Sequence, residues 1–311
     1  SLAASLALRG DGNFPFNTPD PSSNNAGDLS LASGWWGLDR CPRSVIVVAG
    51  DIPADALGAT SLSDPTGNSR EPYLRRTASA DPLFDPIGAY KRVDTDFAPV
   101  IVTASARNGA RGLDPASRFA IEDLRAGGCK TAREAVIVGG TSAVPAQVDD
   151  ELLSIGFDSI YRVGGHNRFA TAASVALTLG TAPVPQGVSG CTDGSAADGS
   201  TRMSFYANSV VELRSSATQC RLLGRTAVLA DGMTGADALA AGWWTSFWQV
   251  PVLLHDTKDV LRPDTADALS RLNLSNVIVL GGTSRISEQV VEEVKSITGA
   301  DVIRVAGRDR Y

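Results

Sequence analysis

Histidine occurs only twice in the chain, as His166 and His255, and the four cysteines form no CxxC pair. A zinc cage needs closely spaced nitrogen and sulfur ligands, and no such set is present. No run approaches the roughly 18 apolar residues of a membrane-spanning helix. Positive charge is short: 28 Lys and Arg against 34 Asp and Glu leave a net charge of −6. That balance argues against nucleic-acid binding, which needs a basic surface. Lysine is scarce, since only Lys91, Lys130, Lys258 and Lys295 are lysine and the remaining Lys/Arg residues are arginine. There is no GxGxxG and no GxxxxGK[ST], so a nucleotide-phosphate loop has little support, and no GxSxG elbow for a serine nucleophile. No cysteine carries a partnered-histidine signature. The reading is therefore no catalysis and no cofactor. The first residue is Ser1, and no basic segment leads a long apolar stretch, so any signal peptide is expected to be removed or to lie outside this sequence.

What is present is a globular balance, with 311 residues, 43% hydrophobic and 20% charged. That length suggests about two domains at roughly 150 residues each. Abundant arginine, alanine and glycine read as a GC-rich coding bias.

The chain repeats itself. Val136–Ser142 reads VIVGGTS and Val277–Ser284 reads VIVLGGTS, with Gly139 and Gly281 142 positions apart. At the same shift RVGGHNRF, from Arg162 to Phe169, aligns with RVAGRDRY, from Arg304 to Tyr311. Pro99-Val-Ile-Val-Thr103 matches Pro251-Val-Leu-Leu-His255, Asp55-Ala-Leu matches Asp237-Ala-Leu, and Ala3-Ala-Ser5 matches Ala172-Ala-Ser174. The matches keep their order while their shifts differ, as duplication followed by insertion requires. Each copy then has one grammar: a small-residue helix (Ser1–Leu8; Thr171–Leu179), an apolar strand (Val45–Ala49; Thr226–Ala230), a helix opened by Asp55 or Asp237, a Pro-led strand (Val100–Thr103; Val252–His255), a helix, a strand running into Gly-Gly-Thr-Ser, a helix, and a strand ending in Arg-Val-x-Gly. Continuous Val/Ile/Leu runs mark strands buried on both faces, hence a parallel sheet between helices. The fold class expected is α/β, with two tandem Rossmann-like units, parallel sheets and long loop insertions. The units span 1–169, with insertions 11–40 and 63–98, and 170–311, with insertion 181–224. Proline and polar residues make Asp11–Asp28, Ser63–Ala98 and Pro183–Ser200 surface loops by composition.

VIVGGTSAVP followed by YRVGGHNRFATA, VIVLGGTSRIS followed by VIRVAGRDRY, and DALAAGWWTSFWQVPVLLH resemble the cell-wall-binding repeat type 2 of Gram-positive surface proteins. The resemblance covers most of both units outside the insertions. It implies non-covalent anchoring to anionic cell-wall polymer, usually through three tandem repeats. The expectation is an exported, envelope-associated module of a Gram-positive, actinobacterial cell, without catalysis of its own. Its ligand is an anionic wall glycan or an envelope protein partner, with a third repeat or a homo-oligomer as further possibilities. The alternative is an exported enzyme of cell-wall or glycan metabolism working at the C-terminal edge of the strands.

Arg162, Arg168, Arg304 and Arg310 are the leading ligand candidates. Guanidinium forks pair bidentately with phosphate or carboxylate, and ligands in open parallel sheets bind at strand C-termini. Alternatively, these arginines pin the turn through carbonyls or a neighbouring repeat's carboxylates. Tyr311 closes the same motif. Thr141, Ser142, Thr283 and Ser284 follow the paired glycines, where they cap a helix or help hold an anion on its amides; capping is also the first reading of Asp55 and Asp237. Trp243, Trp244 and Trp248 are read as core or inter-unit packing, whereas Trp35 and Trp36 lie in an irregular stretch suited to sugar stacking. An even number of cysteines in an exported chain suggests two disulfides. Cys191 and Cys220 share one insertion, and a bond there closes about 30 residues, worth roughly 3–4 kcal/mol. Cys41 and Cys129 both precede parallel strands, whose starts share a sheet edge. Cys41–Cys129 and Cys191–Cys220 are therefore the expected pairs.

Overall fold

The structure, a computed structural model, describes residues 42–64, 71–126, 130–180, 225–233 and 235–307, together with the short paired strands β7 (Met203–Ser204) and β8 (Val210–Val211). The expected helix Ser1–Leu8, the stretches Asp11–Asp28 and Pro183–Ser200, Trp35, Trp36, Arg310, Tyr311 and all four cysteines lie outside the described residues.

The apolar runs become strands because their residues are buried on both sides. All six residues of β1 (Ser44–Ala49) are buried, as are all six of β9 (Thr226–Asp231). Around β1 stand β4 (Val100–Thr103), β5 (Glu134–Val138) and β6 (Ser159–Val163), parallel and ordered β4-β1-β5-β6. Around β9 stand β10 (Val252–His255), β11 (Asn276–Leu280) and β12 (Asp301–Val305), parallel and ordered β10-β9-β11-β12. The strand running into Gly-Gly is third in both orders. The helices are α1 (Pro53–Thr60), α2 (Pro115–Ala126), α3 (Gln147–Ile155), α4 (Arg168–Leu179), α5 (Ala236–Ala240), α6 (Gly242–Phe247), α7 (Pro263–Arg271) and α8 (Glu288–Thr298). The parallel-sheet α/β class read from the sequence is the fold observed.

The 63–98 segment corrects one expectation. Inside it, β2 (Tyr73–Ser79) and β3 (Tyr90–Arg92) form an antiparallel hairpin, and β2 pairs antiparallel with β6. The first sheet thus has six strands, in the order β3-β2-β6-β5-β1-β4. Prolines flank the strands and obscured them, yet Tyr73–Arg76 alternates outward and inward as a half-buried strand does. The inward residue Arg76 is almost fully buried. It pairs with Asp85 at 2.8 Å, donates to the Tyr161 hydroxyl at 3.0 Å, and lies against the Tyr161 ring. Tyr161 in turn donates to Glu134, which Lys91 of β3 holds at 2.8 Å. A chain of charge-assisted bonds therefore fastens the hairpin to the sheet edge.

Helix α4 belongs to the cores of both sheets. Ala173 and Ala176 pack with Leu229, Leu253 and Val279 of the second sheet. Val175 and Leu179 pack with Val136, Val138, Tyr161 and Val163 of the first. Phe169 and Ala172 join Leu57 of α1 to Val228 and Leu254. Most of the helix is buried and apolar, with Ser174, Leu177 and Thr178 half-buried, and close approach on several sides favours the alanines of RFATAASVALTL. The helix opens three residues earlier than expected, because Asn167 Oδ1 accepts from the amides of Phe169 and Ala170 at 2.8 Å each.

Replacing Asp85 with Ala strips the buried Arg76 of its counter-charge. Asp85 is partly solvated, so the expected loss is about 2 kcal/mol, below the 3–5 kcal/mol of a fully buried pair. Urea unfolding of the variant measures it; an unchanged midpoint would contradict the role given to this ion pair.

Candidate functional site

At the C-terminal edge of each sheet the chain turns through paired glycines. Gly139 N–H continues the ladder to Val163 O at 2.8 Å, and the amides of Ala143 and Val144 fold back onto Gly140 O at 2.9 and 3.0 Å. In the second sheet Gly281 N–H donates to Val305 O at 2.9 Å, and Arg285 and Ile286 fold back onto Gly282 O at 3.0 and 3.2 Å. Gly139 and Gly281 have φ of +118° and +109°. A Cβ would also stand 2.9 Å from Asp55 Oδ2 at the first and 2.7 Å from Asp237 Oδ2 at the second. Both constraints demand glycine.

Arg162 and Arg304 grip these turns from the neighbouring strand. Arg162 Nη1 donates to Val144 O at 2.9 Å and Gly139 O at 3.2 Å, and Nη2 pairs with Asp149. Arg304 Nη1 donates to Gly281 O at 2.8 Å and Nε to Glu288 Oε1 at 3.1 Å. Of the two roles open to them, the geometry shows the turn-pinning one, with both forks directed into the protein.

The capping readings need correction. Helix α1 starts at Pro53 with Ile52 at its N-cap, so Asp55 sits inside the first turn and caps nothing. Asp237 likewise lies within α5, whose N-cap is Gly235. Thr141, Ser142, Thr283 and Ser284 are exposed in the turn, ahead of helices whose N-caps are Ala146 and Ser287. The tryptophan trio also divides: Trp244 is buried and Trp248 half-buried, but Trp243 is exposed and stacks on Phe247.

Above the first sheet these elements enclose a cavity of about 140 Å³, lined among others by Asp55, Arg107, Ser142, Gly165, Arg168 and Thr171. Arg107 is presented by a 3₁₀ turn, Ala106–Asn108, that follows β4. Asp51 fixes that turn by accepting from Ser105 at 2.6 Å and Asn108 at 2.9 Å, and Ala106 N–H donates to Ala143 O at 3.0 Å. Arg168, the first residue of α4, reaches the cavity while one nitrogen donates to Gly232 O at 3.2 Å. Asn167 ties the same segment to the second sheet's helix α7 through Asp264 at 3.2 Å, and Arg262 covers the Phe169 ring at 4.4 Å.

Asp55 is the unusual group. It is 3% exposed, and its Oδ1 has no hydrogen-bond partner. Burial pushes its carboxyl up to about 6, against the opposing pull of Arg107, Arg168 and a hydrogen bond from Thr171. The structure thus brings together Arg168, Ser142 and Asp55, and adds Arg107. Sequence reading missed Arg107 because the corresponding stretch after β10, Asp256-Thr257-Lys258, has no arginine to flag it.

Residues 162–291 match the model of the cell wall binding domain 2 (CWB2) family. The match runs from β6 of the first sheet into α8 of the second, and it bears out the resemblance seen in the repeated motifs. Over 86 residues the chain is 35% identical to N-acetylmuramoyl-L-alanine amidase LytC of Bacillus subtilis (strain 168), covering 28% of this chain and 17% of that protein. Among solved structures it is similar to Cwp6 from Clostridium difficile, with a TM-score of 0.56, 16% identity, and coverage of 93% of this chain and 33% of that one. Cwp8 from the same organism gives a TM-score of 0.51, 16% identity, and coverage of 86% and 32%. At that identity the two structures show the fold. The chain spans about a sixth of the curated relative's length and about a third of each structural neighbour. The family match supports a cell-wall-binding role; the actinobacterial source expected from composition finds no support in these relatives.

The raised carboxyl of Asp55 has a stability consequence. A carboxyl whose folded value exceeds its unfolded one contributes stability below about pH 4 that is lost as pH rises through about 6. Asp55→Asn, nearly isosteric and never charged, is expected to be more stable than the parent at pH 7.5 by on the order of 2 kcal/mol, with the difference vanishing near pH 4. Urea titrations at the two pH values read this directly; a variant less stable at pH 7.5 would contradict it.

Proposed function

We propose that the chain, whose residues 162–291 match the cell wall binding domain 2 family model, is an exported, non-catalytic module that binds an anionic glycan of the cell wall. The family match carries this reading, and the cavity over the first sheet supplies chemistry for it. The chain is acidic overall, so attraction to a polyanion must be local, and Arg107 and Arg168 concentrate positive charge at the strand C-termini. LytC's activity is not carried over, because only 17% of that protein is matched. The two sheets, with their shared strand order, support reading 1–169 and 170–311 as two copies of one unit.

A protein partner in the envelope is the second reading, favoured by specific surfaces. Leu83 and Phe84, in the turn between β2 and β3, are 92% and 86% exposed. Among the described residues, the second sheet also has a less covered face. Tyr161 and Val163 of β6 are covered by α4, whereas their register equivalents on β12, Ile303 and Val305, are half-buried and exposed. A helix of the α4 type, from a third repeat or a second copy of the chain, would complete that face.

Co-sedimentation with purified, protein-free wall polymer tests the main reading. The bound fraction is expected to fall steeply between 0.1 and 1 M salt, because arginine–anion contacts are screened as the Debye length shrinks from roughly 10 Å to 3 Å. Retention that ignores salt would contradict an anionic ligand. Retention only by wall material that still holds its proteins would favour the protein partner.

A further inference from the structure

The cavity over the first sheet has features that turn-pinning and packing leave unexplained. Its wall carries a carboxyl that is 3% exposed, with one oxygen, Oδ1, lacking any hydrogen-bond partner. An unsatisfied buried polar atom costs about 1–3 kcal/mol, so its retention beside an open cavity calls for an occupant. Two arginines flank it. Arg107 is exposed and is held over the site by the Asp51-anchored turn. Arg168 comes from the start of α4. A volume of about 140 Å³ is well below the roughly 300 Å³ of a site for a whole drug-sized molecule. It suits one polar group of a larger ligand.

We propose that this cavity is a subsite for a single anionic group, phosphate or carboxylate, with Arg107 and Arg168 as its counter-charges and the Asp55 carboxyl as its hydrogen-bonding partner. The proposal rests on the wall-polymer reading and specifies where the polymer's charge sits. An ionised Asp55 would repel such a group and can only accept hydrogen bonds; a neutral carboxyl donates one. The occupant therefore selects the protonated form. Charged and titratable groups near Asp55 are Asp51 in its own loop, Arg107 after β4, and His166 and Arg168 at the start of α4. Asp231 and His255 end β9 and β10 of the second sheet. Of these, Arg107 and Arg168 act on Asp55, both favouring its ionised form, and burial outweighs them. Binding is then strongest in mild acid and fades as Asp55 ionises. With a midpoint of about 6, the protonated fraction falls about 30-fold between pH 5 and pH 7.5.

The test titrates the protein with dimethyl phosphate and, separately, with the methyl glycoside of glucuronic acid. Each keeps one negative charge from pH 5 to 7.5, and the pair distinguishes phosphate from carboxylate. Shifts of the Gly140 and Gly165 amide resonances report occupancy. At least one probe is expected to bind about 30-fold more tightly at pH 5 than at pH 7.5. Arg107→Ala, at an exposed side chain, should weaken binding at least tenfold at pH 5. Asp55→Asn donates at every pH, so it should bind at pH 7.5 as the parent does at pH 5. If Asp55→Asn does not fold, the parent's pH ratio and Arg107→Ala decide. Neither probe binding, binding indifferent to pH, or binding unchanged in Arg107→Ala would each overturn the subsite. Wall polymer retained equally at both pH values, and equally by Arg107→Ala, would remove the subsite and leave the wall-binding reading standing. No retention of polymer at any pH would remove that reading itself.

Discussion

Helix α4 is packed into two hydrophobic cores at once, and the rest of the molecule is arranged around that constraint. Its alanines meet the second sheet, while Val175 and Leu179 cover the first. Only Ser174, Leu177 and Thr178 of its later turns are half-buried, and none of its residues after Arg168 carries a charge. Because its start is fixed by the Asn167 cap, Arg168 and Thr171 are delivered to the C-terminal edge of the first sheet, opposite Asp55 and Arg107. The cavity therefore lies where the first sheet's strand ends meet the helix that leads into the second. That the family match begins at Arg162, on the last strand of the first sheet, fits this division: the matched segment includes the junction. Neighbour-dependent packing of this kind is what repeat architectures use to couple successive units.

Arginine serves two separate purposes in the repeated Arg-x-x-Gly-x-x-Arg motif. The first arginine, Arg162 or Arg304, is spent on main-chain carbonyls and holds the glycine turn shut. That use needs a planar, permanently charged donor fork, so lysine is a poor substitute. The arginine six positions later, Arg168, sits at the helix start and reaches the cavity. Nothing in the motif's spacing separates the two roles. The separation comes from the parallel register, which sets Arg162 beside Ile137, one residue short of the end of β5, and carries Arg168 past the sheet.

The parallel strands were largely legible, because double burial leaves a direct mark: continuous Val/Ile/Leu runs repeated in the same sequence of elements. Gly139 and Gly281 were legible for the same reason. The β2–β3 hairpin was not, since Pro72, Pro82 and Pro86 surround it and its one inward charge, Arg76, breaks the apolar alternation. Only the tertiary partners Asp85 and Tyr161 make that arginine tolerable. Helix starts are hidden where a turn of several residues separates the glycines from the helix, so Thr141, Ser142, Thr283 and Ser284 lie ahead of the actual N-caps, Ala146 and Ser287. Arg107 carried no signal at all, because its position is set by Asp51, more than fifty residues away in sequence.

The central claim is that the two sheets and the cavity at their junction form one cooperative body through α4. Native-state hydrogen exchange in increasing denaturant tests it most directly. The account predicts that core amides of β1 (Val45–Ala49), α4 (Ala172–Leu179) and β9 (Ala227–Ala230) lose protection together, with one common free energy of opening. Strand β9 opening at a clearly lower free energy while β1 stays protected, or the reverse, would show two bodies that unfold independently and would contradict it.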